Sequence, residues 1–301
     1  MNRLGYIGSS DIGCIMGVNP WKTALQLWAE KTGEIEPKDL SDNEAVEMGN
    51  ELEDTVARIF TKRTGLRVRR SPKIYSGKEG HPSANKAYYK AQVDRLIEGS
   101  DELLECKTCS AWKAKDWEGE EIPASYILQV LFQLMLTGRK VGYIACLIGG
   151  QKFVYKKIEA DEEMFAKMRE QADAFWQMVQ DRVPPATVGA DNDWIISLFP
   201  THGEAIQEVE EFNDRIGLLQ QLKGTIKDAE AQKDEIEASI KAVIGDNLGL
   251  KTSSYTVTWK RQPKTSLDTK TLKEEMPEVY IKYARIGETR IMRVTKTKEK
   301  E

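Results

Sequence analysis

Apolar positions along the chain recur at two spacings, and their order predicts an α/β arrangement. Val46, Leu52, Val56, Ile59 and Phe60 fall at helical spacing. The run opens at Ser41-Asp42-Asn43-Glu44, a helix-start pattern, and closes at Gly65, which predicts a helix to about Arg63. Strand-like runs follow at Leu66–Arg69, Tyr88–Ile97 and Leu103–Thr108, the last two joined by the turn Glu98-Gly99-Ser100-Asp101. A second helix is predicted from about Ala124 to Leu136, ending at Gly138. Val141–Ile148 and Lys152–Ile158 flank Gly149-Gly150, the sharpest hairpin signal in the chain. A third helix, about Asp161 to Asp181, stops before Pro184-Pro185. Helix, three strands, helix, two strands, helix reads as a mixed α/β domain with a partly antiparallel sheet. Ahead of it lie the turn Gly8-Ser9-Ser10-Asp11, Asn19-Pro20-Trp21 and a helix-like segment around Leu25, Leu27 and Trp28.

Beyond Pro200 the texture changes. Val209, Phe212, Ile216, Leu219, Leu222, Ile226, Ala229, Ile236, Ile240 and Val243 recur in steps of three and four, with a polar break at Lys233. They predict a long coiled-coil-like helix over 204–245. A strand at Tyr255–Lys260, a short helix from Thr269, a strand at Thr289–Val294 and a charged tail from Lys296 follow. The expected organisation is a domain over 1–200 and a C-terminal extension over 201–301. That extension holds the long helix and a small β-containing basic tail over 251–301.

Composition bounds the possibilities. In 301 residues, 40% hydrophobic and 8% aromatic content supports a core and excludes wholesale disorder. The formal charge of -4 argues against a binder that works by bulk positive charge. The distribution is uneven. Residues 202–250 carry 5 Lys+Arg against 11 Asp+Glu, and residues 251–301 carry 13 against 7. The acidic helix suits a partner, a second copy or the chain's own basic tail. Tyr255, Trp259, Lys260, Arg261, Arg290 and Arg293 suit DNA contact or a solvated face. The first residues lack the apolar stretch of a signal peptide. Val141–Gly150, the most apolar run, is about half the roughly 20 residues of a membrane span. A cytoplasmic protein with reduced thiols and no membrane partner is expected. Cys106 and Cys109 form a single C-x-x-C, open to redox or metal use or to simple buried thiols, the latter favoured because Cys14 and Cys146 stand apart; His81 and His202 are alone, which argues against a zinc hydrolase. Gly8-Ser9-Ser10 lacks the pattern of a phosphate-binding P-loop.

One constellation carries chemistry. Asp94 lies on one predicted strand and Glu105-Cys106-Lys107 on the next. Residues two apart in a strand share a face, so Glu105 and Lys107 project together, and a hairpin brings Asp94 beside them. Carboxylates on adjacent strands suit Mg²⁺, a hard ion that keeps positions for water and phosphate. The bland alternative is a solvated strand face. Leu103 and Leu104 just before Glu105 argue against it, because buried charge needs a partner or a metal. Glu53 and Gln129, on the flanking helices, are further candidates. Trp112, Lys113, Lys115 and Trp117 suit either a DNA-touching loop or half-buried packing.

Several ordered blocks resemble the YqaJ-type viral recombinases, relatives of the lambda-type exonuclease within the PD-(D/E)XK nuclease superfamily. They are Ile7-Gly8-Ser9-Ser10-Asp11-Ile12; Asn19-Pro20-Trp21 with Leu25, Leu27, Trp28, Glu30, Lys31, Thr32 and Gly33; Met48–Glu53; Ala91-Gln92-Val93-Asp94; Glu105-Cys106-Lys107; and Ile127–Gln133. The resemblance covers about residues 3–200. It implies a restriction-endonuclease-like core, with a mixed sheet flanked by helices. It implies Mg²⁺, replaceable by Mn²⁺ and present as two ions, on Asp94, Glu105 and the Cys106 backbone carbonyl. Glu53 would serve the second ion or its water shell. Lys107 would position the attacking water, Gln129 would complete the site, and Arg3 and Ser10 would receive a 5′ phosphate. The implied activity is 5′-to-3′ digestion of duplex DNA ends. It would leave 3′ tails for a single-strand annealing partner, with the enzyme as a ring of three copies. The departure is Arg95, where glycine is common after the aspartate. An endonuclease on the same fold and a non-catalytic DNA-binding scaffold are the alternative readings.

Overall fold

The computed structural model describes residues 4–76, 86–285, 287 and 290–297. Arg3 and His81 lie outside the described residues. The chain separates into two compact units, Met1–Phe199 and Pro200–Glu301.

The first unit is built on two sheets. The short strand β1 (Ile7–Gly8) leads into helix α1 (Ile12–Ile15) and helix α2 (Ala24–Thr32). Thr23 caps α2, accepting from the Gln26 amide, while the Gln26 side chain accepts from the Thr23 amide. Helix α3 (Glu44–Thr64) starts on the Asn43 side chain and ends at Gly65 in the left-handed conformation. Strands β2 (Val68–Arg70), β3 (Ile74–Ser76), β4 (Tyr89–Gln92), β5 (Arg95–Ile97) and β6 (Glu102–Cys109) follow. Helix α4 (Ala124–Thr137), strands β7 (Val141–Ile148) and β8 (Lys152–Glu159), helix α5 (Glu162–Asp181) and the short α6 (Ile195–Leu198) complete the unit.

The larger sheet has the order β2-β5-β6-β7-β8, and the smaller one β1-β4-β3. In the larger sheet only β6 and β7 are parallel, and α4 makes the crossover between them. The β7–β8 hairpin turns through the three residues Gly149-Gly150-Gln151, and both glycines are at positive φ. Gly142 lets α4 approach β7, since a Cβ there would meet Val130 Cγ1 at 2.6 Å.

The larger sheet is covered on both faces. Leu103, Ile144, Cys146 and Leu96 belong to the main core, with α1, α2, α4 and α5. Leu104, Ala145, Leu147 and Ile97 belong to a smaller cluster with Val56, Ala57 and Phe60 of α3. Odd-numbered residues of β6 therefore face α4, and even-numbered ones face α3.

One of the expected strands differs from the pattern. Tyr88–Ile97 is not one strand but β4 and β5, in different sheets, broken at Val93-Asp94. The break follows from side-chain bonding: Gln133 Nε2 donates to the Gln92 carbonyl and Asp94 Oδ2 accepts from the Cys106 amide. Strands β1 and β3 are two and three residues long, too short to leave an alternating signal. In the aromatic–basic loop, Trp117 is core, as the packing reading expects, and Trp112 is 94% exposed. Phe175 is buried, and Trp176 stacks on Tyr88 with ring centroids 5.1 Å apart.

In the second unit, helix α7 (Asn213–Ile244) begins later than position 204. A single 3-10 turn, Glu210–Phe212, precedes it. Glu204 and Glu208 are four residues apart and Glu208 and Glu211 three, and such like-charge pairs disfavour a helix. Ile216, Leu222, Ile226, Ile236 and Val243 of α7 are exposed, and Ile244 is its one buried residue. Strands β9 (Gly249–Lys251) and β10 (Thr256–Thr258) pair antiparallel. Helix α8 (Thr269–Glu275) matches the expected helical piece, and helix α9 (Pro277–Tyr283), started by its proline, adds to it. The strand expected at 289–294 is absent over 290–294, where the backbone is irregular.

Candidate active site

Strand β6 presents Glu105 and Lys107 on the α4 face, two residues apart. The β5–β6 register pairs Arg95 with Leu104, so the next step places Asp94 opposite Glu105. Helix α4 lies above, with Tyr126, Gln129 and Gln133 at three- and four-residue spacing on one face. Strand β6, the start of β5 and helix α4 bring Asp94, Glu105, Lys107 and Gln129 together.

Glu105 is the hub, and it is 3% exposed. Its Oε1 accepts from Lys107 Nζ at 2.6 Å and from Gln129 Nε2 at 2.5 Å. Its Oε2 accepts from Gln133 Nε2 at 2.7 Å. Lys107 Nζ also donates to Gln129 Oε1 at 3.1 Å and sits 5.0 Å from the centre of the Tyr126 ring. Asp94 Oδ2 accepts from the Cys106 amide at 2.7 Å.

The electrostatics are those of crowded carboxylates. Burial, then the Glu105 charge, pushes Asp94 up from 3.8 to about 8, against the opposing effects of Lys107 and the Cys106 amide. Burial alone would lower Lys107, but Glu105 and Asp94 outweigh it and hold the ammonium above its ordinary value. Lys107 is thus a proton-bearing cation here, not a free base.

This donor set fits one divalent cation. Two carboxylates that repel each other in a desolvated pocket, with a main-chain carbonyl between Glu105 and Lys107, are hard oxygen donors. A bound cation would relieve the strain that raises Asp94. Among the described residues no group of three or more His, Cys, Asp or Glu side chains converges for a metal ion. Glu53 is instead engaged by Arg95, whose side chain is only 4% exposed. Arg95 Nη1 donates to Glu53 Oε1 and, at 2.7 Å, to the Asp94 carbonyl, while Nη2 donates to Asp54 Oδ1 at 2.5 Å.

The cysteines take no visible part. Cys106 and Cys109 are three apart on one strand and so face opposite sides, which defeats the C-x-x-C as a chelate or disulfide. Burial, followed by Asp94 and Glu105, pushes the Cys106 thiol far up. Cys109 Sγ lies 3.6 Å from Cys146 Sγ instead, and all four thiols are free.

The glycine–serine turn is rigidly held. Asp11 accepts from the Gly8 amide at 2.9 Å and pairs with the buried Lys31 at 2.8 Å. Ser9 is buried and Ser10 exposed. A cavity of about 360 Å³ beside the turn is lined by Tyr6, Gly8, Ser9, Ile74, Lys90, Ala91 and Gln92. Ser9, not Ser10, lines it. Gln92 also connects this cavity to the carboxylates, through Gln133.

Residues 1–140 match the YqaJ-like viral recombinase domain. Over 289 residues the chain is 37% identical to the protein YqaJ of Bacillus subtilis (strain 168), covering 94% of this chain and 88% of that protein. The chain belongs to the YqaJ-like viral recombinase family. The fold of the first unit resembles the crystal structure of an alkaline exonuclease (LHK-Exo) from Laribacter hongkongensis. The TM-score is 0.50 at 20% identity, covering 60% of this chain and 91% of that one. The core is the mixed α/β sheet of the PD-(D/E)XK fold. Against this family's pattern, the sequence left two features without a role. Gln133 carries a signal, its four-residue spacing from Gln129 on a helix otherwise apolar at its centre. The Arg95 bonds carry none, because they depend on which sheet face β5 presents to α3.

Proposed function

We propose that the first unit is a metal-dependent exonuclease acting on duplex DNA ends. The observation that carries this reading is the buried network in which Lys107 and Gln129 share Glu105 Oε1 while Asp94 stands opposite. Structural burial of charge alone gives no reason for two opposed carboxylates with a lysine between them. The similarity to a protein described as an alkaline exonuclease supports the same class of chemistry.

Asp94, Glu105 and the Cys106 carbonyl would hold Mg²⁺ or Mn²⁺. When bound, the ion supplies a water of lowered pKa and offsets charge on the phosphate. Glu105 and Gln129 fix Lys107 Nζ in position at the site. Charge balance adds a further effect: the carboxylates that keep Lys107 protonated are the groups a cation would neutralise. Lys107 is then less firmly protonated and can orient a water or take up its proton. Ser9, Lys90 and the exposed Ser10 offer hydroxyl and ammonium groups for a 5′ phosphate, which favours 5′-to-3′ polarity. A single-strand annealing protein and a ring of three copies are the partners proposed with this activity. The site's position in the bacterial or phage-infected cytoplasm is part of the same proposal.

End-labelled linear duplex, with and without a 5′ phosphate, is the test, run beside a closed circle. Digestion of the linear strand from its 5′ end is expected. Cutting of the closed circle would favour the endonuclease reading, and equal activity in Lys107→Ala would remove the catalytic one.

A further inference from the structure

We infer that Arg95 stands in for a second metal ion, so that the site takes a single divalent cation on Asp94 and Glu105. The inference rests on the metal-dependent reading above and sharpens it. Arg95 is on β5 with its side chain toward α3, the face it shares with Ile97. Its guanidinium is buried at 4% exposure and bonds three acceptors from two elements: Glu53, Asp54 and the Asp94 carbonyl. Asp54 is held from its other side by Arg70, at 2.5 Å.

Charge counting separates the two halves of the site. Glu53, Asp54, Arg70 and Arg95 form a closed set of two anions and two cations. Asp94, Glu105 and Lys107 leave one negative charge uncompensated when both carboxylates are ionised. Only the second set attracts a cation. An ion drawn to Glu53 would have to displace, or sit against, a guanidinium that cannot give up its proton and is held by three acceptors. Arg95 also reaches the backbone of Asp94 itself, so one side chain ties Glu53 to the residue expected to hold the ion. Glu53 then acts as a positioning residue through Arg95, not as a ligand.

Mn²⁺ binding measured by electron paramagnetic resonance on the full chain tests this without any reaction. The wild type should bind one Mn²⁺ per chain, with the spectrum of an isolated ion. Glu53→Gln should still bind one, with a dissociation constant weakened by no more than about tenfold, the low end for a residue that acts on a ligand through its neighbour. Arg95→Met should gain a second ion, coupled to the first. Two coupled ions in the wild type, falling to one in Glu53→Gln, would overturn the inference and leave the nuclease reading intact. So would an Arg95→Met protein, folded by circular dichroism, that still binds only one. If Arg95→Met does not fold, the wild type and Glu53→Gln decide. No binding in the wild type, with digestion unaffected by chelators, would overturn the metal reading and this inference with it.

Discussion

Gln133 clamps Glu105: its Nε2 donates to Glu105 Oε2 at 2.7 Å and to the Gln92 carbonyl at 3.1 Å. The same side chain leaves its own Oε1 buried without a partner. Turning the amide over would satisfy nothing, because it would face an oxygen toward a carboxylate. An unpaired buried acceptor costs stability, so the arrangement favours the orientation of Glu105 over a lower local energy.

Gln133→Leu tests that clamp. Glu105 Oε2 loses its donor while the core keeps its volume. Activity should fall about 10- to 100-fold, as for other residues that orient a metal ligand, and half-saturation in Mg²⁺ should rise. Stability against thermal unfolding in chelator should fall by about 1–3 kcal/mol, because Glu105 Oε2 and the Gln92 carbonyl lose a buried donor while only the unpaired Oε1 is relieved. Steady-state digestion across a Mg²⁺ series checks this, and an unchanged Mg²⁺ requirement would count against the clamp.

Lys107→Ala removes the cation shared by Glu105 and Gln129. Turnover should drop by about 100-fold or more, within the range for groups that position or protonate at a reacting centre. Binding of duplex DNA should hold, since Lys107 faces the carboxylates. Lys107→Arg should not restore activity, because the planar fork does not fit the space of an ammonium between Oε1 of Glu105 and Oε1 of Gln129. Filter binding beside single-turnover digestion distinguishes the two effects.

The E-x-K pattern was legible because it depends only on strand alternation. Glu105 and Lys107 share a face on any β-strand, and an apolar pair before them predicts burial. Asp94 needed one more step, the hairpin register, and the Glu98–Asp101 turn supplied it. What could not be read was set by non-local geometry. The split of Tyr88–Ile97 between two sheets depends on Gln133 and Cys106, which are distant in sequence and reach the break only after folding. The pairing of Arg95 with Glu53 depends on α3 packing against the outer face of the same sheet. Periodicity also overstated α7. The apolar spacing continues upstream to Val209, while the acidic residues 204, 208, 210 and 211 oppose a helix there.

Asp94 makes stability depend on pH in a known direction. Its folded value, about 8, lies above the ordinary 3.8, so the folded chain holds a proton that the unfolded chain has lost. Metal-free protein should lose stability as pH rises from about 4 toward 8, and the loss should be complete above the folded value. Asp94→Asn has no proton to lose and keeps an oxygen for the Cys106 amide. In chelator at pH 8 it should melt above the wild type by several degrees, at about 2–4 °C per kcal/mol for a domain of this size. At pH 5 the difference should shrink. Mg²⁺ should raise the wild type and leave Asp94→Asn nearly unmoved. Calorimetry over both pH values with and without Mg²⁺ tests all four statements.

Cys106 provides the opposite control, because the proposed ligand there is main chain. Its thiol faces α3 among Phe60, Leu104 and Ala145 rather than the carboxylates. Cys106→Ala should keep Mg²⁺ dependence and turnover within about twofold. It should lose roughly 1 kcal/mol of stability for the small void left in the cluster. Cys106→Asp, which adds a third carboxylate on the buried α3 face, should destabilise the fold by several kcal/mol without improving metal binding. A large activity loss in Cys106→Ala at unchanged stability would mean that the thiol, not the carbonyl, serves the site.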